Sequence, residues 1–112
     1  MGKFEKFEDI EMWQTARQLV LFIYRATAQK PFCNDFGLRE QIQRAAVSVM
    51  SNIAEGFERG GNKEFVQFLY VAKASSAEVR SLAYVASDIG YIDKKSFDIK
   101  TNSRSYKIFS EQ

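Results

Sequence analysis

Few side chains in this sequence are placed to do chemistry. Of 112 residues none is histidine, and Cys33 is the one cysteine. Without histidine there is no Ser-His-Asp triad, no imidazole base and no His-containing metal site. A single thiol removes disulfide frameworks, CxxC redox pairs and zinc fingers. Glu40, Glu55, Glu64 and Glu78 are the carboxylates that could share a metal, but no spacing among them supports such a site. The Glu-x-x-His pattern of di-metal helical bundles is absent with the histidines. Cys33 lies near Lys30 but has no base beside it, so a passive loop thiol is expected. Gly60-Gly61-Asn62 opens a helix without the lysine pattern of a phosphate loop. No enzyme, no metal and no cofactor is expected.

Two sets of polar residues remain. The first is a stripe on one helix face: Arg44, Ser48, Asn52, Glu55 and Arg59. It reads either as a recognition surface lining a groove or as internal bracing. In the bracing reading, which we favour, Arg44 and Arg59 flank Glu55 and Asn52 bonds backbone groups at a helix junction. Buried polar groups need such partners. The second set is basic. Lys73 and Arg80 are seven apart on one helix face, and Lys100, Arg104 and Lys107 recur at i, i+4, i+7. Residues 94–112 hold five basic residues against Asp98 and Glu111. These are candidate nucleic-acid contacts or an ordinary solvated face. Repeated around an oligomer, such a patch would make a far stronger field than one chain of net charge +2.

The elements that must carry these residues are helices. A first helix is expected over about 10–29, capped by Asp9, with Trp13, Ala16, Val20, Ile23, Tyr24 and Thr27 as its buried stripe. Lys30-Pro31 ends it, because the residue before proline avoids helical geometry. Asn34 and Asp35 serve as turn or cap residues in a short loop. A second helix is expected over 37–59, with Ile42, Ala46, Val49, Ile53 and Phe57 on its core face. Gly60-Gly61 stops it, since glycine readily takes left-handed geometry. A third helix is expected over 63–89, capped by Asn62 and closed by Gly90. Its main stripe is Phe65, Phe68, Leu69, Ala72, Ser76, Val79, Ala83 and Ala86. Asp93 could cap a fourth helix over 94–110, whose apolar residues share no narrow face. Four helices with short connections make one all-α domain, an up-down-up-down four-helix bundle spanning residues 1–112.

The second and third helices carry more apolar surface than one stripe. Val47, Met50 and Ala54 extend the second. Val66, Tyr70, Ala77 and Tyr84 form another row on the third. A helix in an isolated bundle needs one apolar stripe, so a homo-oligomer using Met50, Val66, Tyr70, Ala77 and Tyr84 is expected. The longest apolar run, Leu19 to Tyr24, is far below the roughly 20 residues of a membrane span. The N-terminal residues hold no apolar signal core, so a cytoplasmic protein with no membrane role is expected.

Several segments together carry a family resemblance. Phe7-Glu8-Asp9-Ile10-Glu11-Met12-Trp13-Gln14 resembles a "FEDLxVWQ" opening, and residues 38–49 resemble "LxxQIxRAAVSI". Ser51-Asn52-Ile53-Ala54-Glu55-Gly56 matches "SNIAEG", and Gly90-Tyr91-Ile92 matches the end of the third helix. Over residues 7–92 the chain resembles the bacterial four-helix-bundle family that includes the 23S rRNA intervening-sequence proteins. It is also similar to the accessory protein of diversity-generating retroelements. The resemblance implies a homopentameric, ring-like barrel of four-helix bundles with no known enzymatic activity. It places Arg44, Ser48, Asn52, Glu55, Gly56 and Arg59 in a family motif. The retroelement relative binds nucleic acid and a reverse transcriptase through a basic surface. Departures from the pattern include Met50, where the family often has proline, and Ala74, where glycine is frequent. The sequence thus leads to a non-catalytic oligomeric adaptor for RNA, DNA or a ribonucleoprotein partner. A scaffold that binds only protein is the alternative.

Overall fold

The computed structural model describes residues 4–93 and 95. Among these residues the structure is helical, with no strand. A 3-10 turn at Phe7–Asp9 leads into α1, Glu11–Thr27. A second 3-10 turn, Phe32–Asn34, leads into α2, Phe36–Glu58, and α3 follows over Asn62–Asp88. The expected fourth helix lies almost wholly outside the described residues. At its start Lys95 is helical, and its N–H donates to Asp93 Oδ1 at 3.3 Å, the bond expected of a capping aspartate.

α2 is the central helix, with α1 packed on one side and α3 on another. Its core face is the one read from periodicity: Ile42, Ala46, Val49 and Ile53 are buried, joined by Ala45 and Gly56. Two apolar clusters lie along it. Toward one end Leu19 and Ile23 of α1 meet Phe32, Ile42 and Ala46, with Val79 and Ala83 of α3. Toward the other, Ile10, Trp13 and Ala16 meet Val49, Ile53 and Ala72. Alanines at 72, 83 and 86 on α3 are fully buried, which lets its backbone come close to its neighbours. Thr27 is a buried polar exception. Its hydroxyl donates to the Ile23 carbonyl at 2.8 Å and accepts from Gln43 Nε2 at 2.9 Å, tying α1 to α2.

The α1 stripe differs from the expected one. Leu19 is fully buried, Val20 is half-buried and Tyr24 is 46% exposed. Steps of 3, 3, 4 and 4 through Trp13, Ala16, Leu19, Ile23 and Thr27 keep one face inward, and Tyr24 falls off that face.

Two caps also differ. Asp9 does not cap α1: it sits in the 3-10 turn, and Ile10 holds the N-cap position without a side-chain bond. Apolar packing decides this entry, because Ile10 is buried and Phe7 packs edge-on to Trp13 at 5.2 Å. Asn62 is the first residue of α3 rather than its cap, and Gly61 takes the extended cap geometry. Gly60, at φ 81°, turns the chain one residue earlier than a capping Asn62 would need. Asp35 does cap α2, accepting the Leu38 N–H at 3.2 Å. α1 stops at Thr27, two residues short of the expected end, ahead of a turn that contains the cis Lys30–Pro31 bond. Gly90, at φ 84°, closes α3 as expected. Its N–H bonds to the Ser87 carbonyl at 3.1 Å, and Tyr91 N–H to the Ala86 carbonyl at 2.8 Å, which satisfies two orphan carbonyls.

Candidate interaction surfaces

The motif stripe lies along the side of α2 that meets α3. Ser48 is its hub. The Ser48 and Ser75 hydroxyls are 2.8 Å apart and bridge the two helices. Asn52 Nδ2 donates to the Ser48 carbonyl at 2.8 Å and to its Oγ at 3.0 Å. Asn52 therefore braces its own helix one turn back rather than a junction. Gly56 is where the backbones come closest. A Cβ built there would lie 2.7 Å from Phe68 Cβ and 3.1 Å from Phe65 Cδ1. Arg59 Nη2 donates to Glu55 Oε1 at 3.0 Å, and its guanidinium stands 5.0 Å from the Phe68 ring centre. Both partners of that ion pair are about half exposed, so it is worth roughly 0–1 kcal/mol. Arg44 is exposed and stands apart from Glu55, so among the described residues Arg59 alone flanks the carboxylate.

The node makes a measurable claim. Ser48→Ala removes the partner of Ser75 and an acceptor of Asn52, and should lower stability by about 1–2 kcal/mol. Ser75→Ala should cost less, because Asn52 keeps its bonds. The double variant should fall short of the sum of the two, since both delete one shared bond. Urea melts of the three variants would show it. Strict additivity would mean the hydroxyls do not interact.

The structure brings the expected α3 residues onto its solvent side. Val66, Tyr70, Ala77 and Tyr84 are all exposed, Tyr70 most of all at 69%. Lys73 is exposed among them, and Arg80 is half-buried. The two cations are two helical turns apart, about 10 Å along the axis. Met50 is half-buried inside the chain, packed against the Trp13–Ile53 cluster. Lys100, Arg104 and Lys107 lie outside the described residues. A second exposed apolar row on α3 escaped the sequence reading: Val71, Val85 and Ile89. Its signal was present in the spacing i, i+14, i+18, but alanines, Glu78 and serines interrupt it.

A clasp at the far end of α3 was also missed. The Tyr91 ring stacks on Phe32 at 4.9 Å, and its hydroxyl donates to Asp35 Oδ2 at 2.9 Å. Asp35 thus caps α2 with one oxygen and holds Tyr91 with the other. That hydrogen bond, with burial and the carboxylate's charge, raises the Tyr91 phenol above its ordinary value of 10.0. The folded state favours the protonated phenol. Its contribution is therefore complete below the ordinary value and is lost as pH rises above it.

Among the described residues no group of three or more Asp, Glu, Cys or His side chains could hold a metal ion. Cys33 is half-buried in the Phe32–Asn34 turn, its sulfur 3.7 Å from Asn34 Oδ1. No helix among the described residues is long and apolar enough to cross a membrane.

Long helices, short connections and a core of small residues along α3 define an all-α helical protein whose polar motif serves helix packing and whose third helix keeps an apolar solvent side. Residues 8–105 match the family model described as 23S rRNA-intervening sequence protein, and the chain belongs to that family. The match runs past Ile92, where the motif resemblance stops, and so takes in most of the basic last segment. Comparison with curated proteins returns no match.

Proposed function

We propose that this protein is a non-catalytic, self-associating helical adaptor that engages nucleic acid or a ribonucleoprotein partner through basic surface residues. The observation that carries the reading is the solvent side of α3. Val66, Tyr70, Val71, Tyr84, Val85 and Ile89 are exposed there in two rows, with Lys73 beside them. A soluble monomer rarely leaves so much contiguous apolar surface uncovered. The last segment of the same chain, completing a four-helix bundle, covers one row in this reading. A second copy in a ring, a pentamer by the resemblance, covers the other. The family's name, 23S rRNA-intervening sequence protein, supports an rRNA-associated role, and a kinship with the retroelement accessory protein, read from sequence motifs alone, would agree with it. The adaptor works in the cytoplasm, with no cofactor and no membrane contact. A scaffold that binds only protein is the alternative, favoured by the same apolar rows.

Two measurements test this. Light scattering at micromolar concentration should give a multiple of the 12.9 kDa chain mass, and a monomer mass would sink the self-association claim. Fluorescence anisotropy with a structured RNA and a duplex DNA, at about 50 and 200 mM salt, should show binding that weakens steeply with salt. No binding at the lower salt leaves the protein-only scaffold. Lys73→Glu with Arg80→Glu should weaken nucleic-acid binding and keep the oligomer. Loss of the oligomer would make these side chains interface groups.

A further inference from the structure

Positive charge is unevenly spread along this chain. Between Met12 and Asn34 there are three cations, Arg17, Arg25 and Lys30, and no aspartate or glutamate. From Asp35 to Asp93 six cations are set against eight carboxylates. The net positive charge therefore comes from α1 with the turn after it, and from the last segment. The second source was legible from its lysine spacing. The first was not, because its cations are few and far apart.

The fold turns the α1 cations outward together. Trp13, Ala16, Leu19, Ile23 and Thr27 point to the core, and Arg17, Arg25 and Lys30 are exposed. At about 100° per residue Arg17 and Arg25 lie within roughly 80° of each other around the helix. Exposed Gln18 and Leu21 lie on the same arc. The two arginines are separated by about 12 Å along the axis, and exposed Lys30 lies in the turn after the helix. None of the three is ion-paired among the described residues. The Arg17 guanidinium stands 5.8 Å from the Trp13 ring centre, a contact that steadies it and leaves its charge intact. The contrast with α3 is informative. There Lys63 and Lys73 are exposed alongside Glu64, Glu78 and Asp88, the mixed signs of an ordinary solvated helix.

We propose that the solvent face of α1, through Arg17, Arg25 and Lys30, is a binding surface for the phosphate backbone of nucleic acid. This rests on the adaptor reading and adds a contact surface to it. α1 opens with exposed Glu11, but from Gln14 to Thr27 its solvent face carries no carboxylate to repel an approaching phosphate. The roughly 12 Å between the arginines lets both reach phosphates of one strand at once. Long, exposed cations on the outside of a helix contact backbone rather than base edges, so binding is insensitive to sequence.

The test compares the intact chain with the triple variant Arg17→Gln, Arg25→Gln, Lys30→Gln, and with Lys73→Glu/Arg80→Glu. Glutamine is a good helix former, so circular dichroism should be unchanged. Anisotropy with a short RNA duplex should show affinity falling about tenfold or more in the triple variant at low salt. The slope of log affinity against log salt should become shallower by about 2–3, one unit per lost phosphate contact. Equal affinity and slope in the triple variant, with loss in Lys73→Glu/Arg80→Glu, overturns this surface and keeps the adaptor reading. No binding of RNA or DNA by the intact chain overturns both. Polyglutamate binding that matches RNA and is lost in the triple variant would make the partner an acidic protein and overturn the nucleic-acid assignment.

Discussion

Replacing Phe32 with alanine should destabilise the protein by about 3–5 kcal/mol, the range for emptying a buried aromatic site. The ring is 1% exposed although it belongs to a three-residue turn between helices. It packs in the cluster that includes Leu19, Ile23, Ile42 and Val79, to which all three helices contribute. Tyr91 stacks on it and then bonds Asp35, the cap of α2. Truncation leaves a cavity and also unseats this clasp. The local site cannot collapse easily, because a fixed turn and two helix ends surround it. Phe36→Ala is the control. That ring is 63% exposed, with the Arg39 guanidinium over it at 4.7 Å, and its loss should cost about 0.5 kcal/mol or little more. Denaturant melts of the two variants should differ in midpoint and share their slope. Similar midpoints would mean Phe32 is not a core residue.

The contrast between those two phenylalanines shows what the sequence could and could not carry. Helices were legible because apolar residues repeat at their period, and α2 shows this best: Ile42, Ala46, Val49 and Ile53 were expected inside and are inside. Phe32 has no period to belong to, so nothing distinguished it from Phe36. Caps failed where packing competed with hydrogen bonding. Asp9 has the right chemistry for a cap, but buried Ile10 and the Phe7–Trp13 contact fix the entry to α1 instead. Pairings across long separations were invisible. Tyr91 and Asp35 are 56 residues apart, and Ser48 and Ser75 are 27 apart. The motif stripe was visible as a pattern, but its bond partners were assigned by proximity along the helix. That worked for Glu55 and Arg59, four apart, and failed for Arg44; Asn52 bonds a backbone group as expected, but the Ser48 carbonyl of its own helix. The outer rows of α3 were half legible: the Val66–Tyr84 row has clean spacing and the Val71–Ile89 row does not.

Gly56→Ala should be destabilising even though alanine is the better helix former. In an open helix the exchange gains about 1 kcal/mol. Here the new Cβ would lie 2.7 Å from Phe68 Cβ, an atom attached to the α3 backbone that no rotamer can move away. Phe65 Cδ1, at 3.1 Å, closes a second side. Relief requires α2 and α3 to move apart, and that strain should cost about 1–3 kcal/mol, exceeding the propensity gain. The damage would not stay local. The Ser48–Ser75 bond, two turns along, is only 2.8 Å long and would be stretched, and the packing of Ile53 on Ala72 would loosen. Gly37→Ala supplies the internal comparison, because the nearest atom to its new Cβ is Asp35 Oδ1 at 4.0 Å. That variant should be neutral or gain up to about 1 kcal/mol. Equal stabilisation by both variants would show that the helices part cheaply and that glycine is not required by their closeness. The expected opposite signs would tie the motif glycine to the spacing of α2 and α3. Because α3 carries the exposed rows Val66–Tyr84 and Val71–Ile89, a shift at that crossing also moves the surface that the proposed self-association would use. If the proposed oligomer forms, light scattering should show weaker assembly of Gly56→Ala than of Gly37→Ala at the same concentration.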